Sequence, residues 1–182
     1  MTTWSNSLLA RVQEQLNGHE QWWPRADLFS QTPHRANSLH LAIFVEPFLT
    51  FVLDGRKTIE SRFSIHRRPP FGCVRSGDLV LVKRSGGPIV AVAEVSKVWY
   101  YELDSQAWNF IRRKFSKQLC VDDPEFWESK SSAYFATLMQ FARIEKLDEI
   151  ECSKRDRRGW VVLNPFGEQR RLFPDIQQGL LL

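Results

Sequence analysis

The chain has 182 residues, 43% hydrophobic and 25% charged, with 25 Lys and Arg against 21 Asp and Glu for a net charge of +4. A chain of this length buries roughly 70% of its unfolded surface and can hold a core without disulfides or a structural metal, and its apolar content excludes a disordered polymer. No stretch reaches the roughly 20 uncharged apolar residues of a membrane span, and the start MTTWSNSLLARVQEQ lacks a basic-then-apolar leader, so a cytoplasmic protein with no membrane partner is expected.

Residues 5–17 predict an amphipathic helix, with Ser5 or Ser7 as its cap, Leu8, Leu9, Val12 and Leu16 at helical spacing, and Gly18 just past the end. Residues 18–38, with two prolines and little periodicity, read as an ordered connector that drops Trp22, Trp23 and Phe29 onto the main body. The expected division is therefore an N-terminal helical extension, 1–37, and one domain, 38–182. Leu39 to Val45 reads as a buried strand stopped by Glu46-Pro47. A short helix follows, with Phe48, Phe51 and Val52 on one face and Gly55 at a left-handed C-terminal cap. Thr58 to Phe63 then alternates with period two, placing Thr58, Glu60 and Arg62 on one strand face and Ile59, Ser61 and Phe63 on the other.

Beyond the loop His66-Arg67-Arg68-Pro69-Pro70, Gly77-Asp78 leads into a strand over 79–83, and Gly86-Gly87-Pro88 turns the chain into another over 89–100, a β-meander. Asp104 or Ser105 caps a helix running to Leu119, with Ala107, Trp108, Ile111, Phe115 and Leu119 inward and Arg112, Arg113 and Lys117 outward. Asp123-Pro124 opens a shorter helix, 134–146 reads as a strand that bends, and 159–163 and 170–173 as two last strands or a strand and a turn. Trp108 and Trp127 belong to packing. The fold class expected is α+β, a small, mostly antiparallel barrel with flanking helices.

Cys73, Cys120 and Cys152 are an odd number of widely spaced cysteines, which reads as free thiols. The histidines at 19, 34, 40 and 66 are scattered, and His40 reads as structural. No zinc spacing or phosphate-binding glycine loop occurs, so no metal or cofactor is expected. Basic residues cluster instead. Between Arg62 and Arg84 six cations face one acid, Asp78, and Lys154 to Arg158 holds four cations and one acid. The acids gather elsewhere, at Asp122, Asp123, Glu125 and Glu128 and at Glu145, Asp148, Glu149 and Glu151. A polarised surface of this kind tilts toward a nucleic-acid partner.

The stretch richest in chemistry is Gly55-Arg56-Lys57-Thr58-Ile59-Glu60-Ser61-Arg62, of pattern G-x-K-x-x-E-x-R. Glu60 and Arg62, two apart on a strand, point into the same space, and Lys57 at the helix–strand junction can reach over them. Such a carboxylate accepts from an exocyclic amine of a base, and the two cations hold a carbonyl oxygen or a phosphate. The same three residues also read as an ion-pair network fixing helix to strand.

On this motif the sequence resembles the ASCH family, the activating-signal-cointegrator homology domains. HLAIFVEPFLTFVLDG and GDLVLVK are similar to the family's first strand, first helix and hairpin, and the resemblance covers about Ser38 to Leu163. It implies a PUA-like barrel with Lys57, Glu60 and Arg62 in a cleft, and binding of nucleic acid, RNA or a modified nucleotide first and DNA as an alternative. His66 would add a ligand contact, while Arg67, Arg68, Lys83, Arg84 and the Lys154 to Arg158 block would track phosphate. Trp160, beside that block, would stack on a base.

The family also implies a second function, hydrolysis. Some small bacterial members are amidohydrolases that remove the acetyl group of N4-acetylcytidine, and one is described as a ribonuclease. Those deacylases use a lysine, a threonine three residues later and a distant glutamate. Here Glu60 stands at the threonine's position, so the catalytic set of an enzyme would be Lys57 and Glu60 with Thr58 as the substitute hydroxyl. The neighbouring Glu60 and Asp54 are expected to raise the Lys57 pKa, against what a lysine nucleophile needs. A third reading is a protein-interaction module whose N-terminal helix and Trp22-Trp23 segment dock an unknown partner.

Overall fold

The computed structural model describes residues 3–17, 19, 22, 37–152 and 158–164. They form α1 (Thr3–Leu16), β1 (Leu39–Phe44), α2 (Phe48–Leu53), β2 (Ile59–Ser64), β3 (Leu79–Arg84), β4 (Ile89–Glu102), α3 (Ser105–Leu119), α4 (Pro124–Glu128), β5 (Phe135–Ile150) and β6 (Trp160–Asn164). The strands make one six-stranded sheet in the order β2-β5-β4-β3-β1-β6. β3 and β4 pair antiparallel as the meander predicts, β1 and β3 run parallel, and the remaining pairs are antiparallel. Register shifts interrupt the long β4–β5 ladder around Glu94, Val95 and Lys97. Irregularities of this kind add local twist, and here they fall where the sheet curls into a half-barrel.

Period-two alternation decides which side chains go where. On β1, Leu39 and Leu41 face α1, while Ala42 and Phe44 enter the concave interior with Val80, Val82, Ala93, Val95 and Met139. Leu8, Leu9, Val12 and Leu16 of α1, together with Trp22, complete the cluster on the other face. Gln15 binds both backbone groups of Asp148, donating to its carbonyl at 3.2 Å and accepting from its N–H at 2.7 Å, and Trp22 Nε1 donates to Glu145 at 3.3 Å. The N-terminal helix thus covers the sheet with its apolar face. Trp23, Phe29 and the 170–173 segment lie outside the described residues.

A third cluster joins the helices to the far edge of the sheet: Ile111, Phe115 and Leu119 of α3 and Trp127 of α4 pack on Ile59, Ala136 and Leu138. Asp104 caps α3 by accepting from Ala107 N–H at 2.7 Å, and Asp123 caps α4 by accepting from Glu125 N–H at 2.8 Å. Gly55, at φ +72°, supplies the left-handed turn that ends α2 and aims the chain at β2. None of the three cysteines forms a disulfide, and burial pushes the Cys73 thiol up to about 12, so it stays protonated at physiological pH. Among the described residues no helix is long and apolar enough to cross a membrane.

Candidate functional site

β2 is the edge of the sheet that curls back toward β1 and β6, and the seam is bridged by a side chain. Arg62 Nη2 donates to the Ile43 carbonyl of β1 at 2.8 Å, and Nη1 donates to the Gly159 carbonyl at 3.3 Å. Gly159 carbonyl also accepts from Ile43 N–H at 2.9 Å, so Arg62 reaches the point where β6 meets β1. Its guanidinium lies over the rings of Phe44 and Trp160, 5.1 Å and 5.5 Å from their centroids.

Beside this seam opens a cleft of about 280 Å³, walled by Ile43, Phe44 and Val45 of the β1 end, Phe48 of α2, Lys57, Glu60, Ser61, Arg62 and Phe63, and Phe126 and Lys130 of the α4 region. Glu60 lies between the two cations: its Oε1 is 2.9 Å from Arg62 Nε and its Oε2 is 3.5 Å from Lys57 Nζ. The Nε–H of Arg62 is not aimed along the short contact, which is an ion pair without a hydrogen bond. Glu60 and Lys57 are both buried, at 6% and 3% exposure, so the charges act in a medium that screens them weakly. Lys57 Nζ also donates to the Leu119 carbonyl at 3.0 Å, using one of the acceptors the end of α3 leaves open.

Burial holds the Lys57 pKa below its ordinary value, and Glu60, which raises it, does not make up the difference. Neighbouring charges alone predict the opposite direction; desolvation, which local sequence does not show, reverses it. Asp54, expected to raise it as well, pairs with Arg56 at 3.2 Å.

The other sequence candidates divide. Thr58 is exposed and lines a neighbouring cleft of about 430 Å³ with Val52, Leu53 and Arg143, outside the cleft that holds Glu60 and Arg62. Trp160 is buried at 4% exposure, and its Nε1 donates to His40 Nδ1 at 3.2 Å. It backs Arg62 from inside the barrel and presents no face for a base. An indole N–H only donates, so His40 Nδ1 accepts, and Nε2 carries the proton toward Asp78 Oδ2 at 3.0 Å. His40 is structural, as its place on the first strand suggested. Lys83 is buried and its ammonium bonds the Arg84 and Gly87 carbonyls, closing the β3–β4 turn. Arg84 pairs with Glu46 at 2.6 Å and Arg67 pairs with Glu102, so each carries its own counter-charge. His66 and Arg68 are exposed in the loop after β2. Arg158 is exposed next to Gly159, while 153–157, which include Lys154, Arg155 and Arg157, lie outside the described residues.

Sequence reading missed Phe48, Phe63, Phe126 and Lys130 as walls of the cleft. Alternation places Phe63 on the apolar strand face, and of α4 only Trp127 reads as packing; the signal for Phe126 is that an aromatic pair, Phe126-Trp127, cannot bury both rings from one short helix. Here Phe126 turns toward Phe48 and Phe63, at centroid distances of 5.8 and 6.1 Å. Among the described residues no group of three or more His, Cys, Asp or Glu side chains converges as a metal cage requires.

No protein-family model matches the chain, and no curated protein matches it. Solved structures do. The ASCH protein of Zymomonas mobilis superposes with a TM-score of 0.56 over 79% of this chain and 94% of its own, at 10% identity. Two single-residue variants of that protein give the same TM-score, each over 74% of this chain and 96% or 94% of theirs, also at 10% identity. At that identity the likeness is one of architecture, and together with the curled sheet, the bridged seam and the flanking helices it makes this chain a domain with the ASCH fold.

Proposed function

We propose that the protein binds single-stranded nucleic acid, RNA in the first place, by taking one unpaired base into the cleft beside Lys57, Glu60 and Arg62. The observation that carries this reading is the composition of the cleft: a buried carboxylate flanked by an ammonium and a guanidinium, set among the rings of Phe48, Phe63 and Phe126. A base has an apolar face and a polar edge, and the cleft offers both. Glu60 would accept from an exocyclic amine or ring N–H, Lys57 would donate to a ring carbonyl, and a phenyl ring would cover the face. At about 280 Å³ the cleft falls just below the roughly 300–1,000 Å³ usual for small-molecule sites, the size for one base and too small for a duplex. The ASCH fold of the structural relatives supports the class of ligand and leaves the base open.

Titration of single-stranded RNA octamers by fluorescence anisotropy tests the reading. Wild type should bind, and Glu60→Gln, which keeps the shape and removes the charge, should change which base is preferred. Equal preference in the two proteins would overturn it.

Hydrolysis is the second reading, and one finding favours it: the lowered pKa of Lys57 raises the fraction of free amine, which a lysine base or nucleophile needs. The exposed position of Thr58 weighs against the deacylase arrangement. Mass spectrometry of an RNA carrying one N4-acetylcytidine, incubated with wild type and with Lys57→Ala, separates the cases. Lys57-dependent loss of acetyl or chain scission makes the protein an enzyme; unchanged RNA in both leaves recognition as its activity.

A further inference from the structure

Three of the cations that sequence clustering places along phosphate are engaged within the fold. Arg67 and Arg84 face Glu102 and Glu46, Lys83 is buried in a turn, and Arg68 stays exposed in the loop after β2. α3 is different. Its sequence, SQAWNFIRRKFSKQL, contains no acid, and Arg112, Arg113, Lys114 and Lys117 are all exposed. Among the described residues none of the four forms an ion pair; Lys114 lies 5.6 Å from the Phe110 ring centroid and makes a cation–π contact instead. Arg113 and Lys117, both exposed and four apart on the helix, repel each other. A local conflict of this kind is expected where a surface serves a ligand.

The face is joined to the cleft through α4. Trp108, Asn109 and Arg112 of α3 and Trp127, Glu128 and Ser131 of the α4 region line a groove of about 310 Å³. Phe126 and Lys130, on the other side of α4, line the cleft. The ring of Phe63, a cleft wall, stacks on Trp108, a groove wall, at 5.2 Å and 7°. One helix width, about 10 Å, therefore separates the two.

We infer that the exposed face of α3 is the phosphate-binding surface of this protein: a single strand whose base occupies the cleft crosses α4 at the groove and lays its phosphates along Arg112, Arg113, Lys114 and Lys117. This rests on the reading of the cleft above and adds the path of the strand. The order of charges, Lys130 on the cleft wall, Arg112 in the groove and Arg113, Lys114 and Lys117 beyond it, fits a polyanion that leaves the cleft in one direction.

The test is the salt dependence of affinity for a single-stranded RNA octamer of mixed sequence, measured with the full chain. Each phosphate contact contributes about 0.7 to the slope of log affinity against log salt for a single strand, so Arg113→Gln with Lys117→Gln should flatten the slope by about 1.4. The pair Arg67→Gln with Arg84→Gln should leave it unchanged, and Glu60→Gln should change base preference at constant slope. Both α3 positions are exposed, and unchanged thermal unfolding of the double variant certifies its fold. A slope and affinity equal to wild type in the α3 variant overturn the inference and point to an acidic protein as the partner of that face. Flattening in the α3 variant with no effect of Glu60→Gln keeps the phosphate surface and removes the base from the cleft. Absence of RNA binding by wild type removes both.

Discussion

Glu60 is the residue on which the site turns, because it is the buried anion that makes the two cations tolerable. Removing one partner of a buried charge cluster costs about 3 to 5 kcal/mol. Glu60→Ala, which strands Lys57 and Arg62 beside each other, should therefore destabilise the protein by about 3 kcal/mol in urea unfolding. Lys57→Met should cost less, since Arg62 still pairs with Glu60 and the apolar stem is retained. The sign of the pH dependence follows from the lowered Lys57 pKa. Between its folded value and the ordinary 10.5 the unfolded chain holds a proton that the folded chain has released, so unfolding takes up a proton and stability rises with pH across that window. Measured against Lys57→Met, wild type should gain stability as pH climbs toward 10.5 and lose that gain below the folded value; a flat difference would mean that the buried ammonium is not strained by desolvation.

At the scale of elements, the site depends on where α3 ends and β2 begins. Leu119 and Gln118, the last residues of α3, accept from Lys57 Nζ and from the Thr58 N–H. α3 closes on Cys120 in the left-handed region at φ 56°, a conformation that glycine adopts without penalty. Cys120→Gly should accordingly stabilise the protein by about 0.5 to 1 kcal/mol, read from chemical denaturation. The opposite terminus gives the complementary case: Asp104→Ala removes the cap on Ala107 and should cost about 1 kcal/mol. The caps of α3 and α4 were legible because each is set by neighbours in sequence, whereas the alternation of 58–63 was legible only in part: Glu60 and Arg62 share the cleft, but Ser61 and Phe63 line it too and Thr58 does not. The burial of Trp160 and Lys83 was not, since it depends on β6 pairing with β1 and on Lys83 folding back over its own turn, neither of which is written in local pattern. Nor could charge clustering show which cations meet an acid from another element, as Arg67 meets Glu102 and Arg84 meets Glu46.

For the whole molecule, the seam between β2 and the β1–β6 edge is the distinctive feature. A ladder of backbone hydrogen bonds holds every other junction of the sheet, whereas Arg62 holds this one through two carbonyls, one carboxylate and two rings. A lysine cannot make that set of contacts, because it lacks the planar fork. Arg62→Lys should then loosen the seam while α1 and the meander stay intact, which amide exchange would register as faster exchange at Ile43, whose N–H bonds Gly159, with little change at Leu79 to Val82. Equal exchange at Ile43 in both proteins would show that the seam does not need the guanidinium. The barrel, its helices and the motif at its edge followed from the sequence; the shape of the opening came only from bringing residue 62 to residues 43 and 159, and residue 57 to residues 126 and 130.

The claim that organises the rest is that a base enters the cleft and is read by Glu60. The most direct test compares the affinities of wild type and Glu60→Gln for four RNA octamers that differ only in one central base. Wild type should separate the best from the worst base by about tenfold or more, as one well-placed polar pair does, and Glu60→Gln should flatten or reorder the series. Four equal affinities for wild type, or the same order in both proteins, would contradict it.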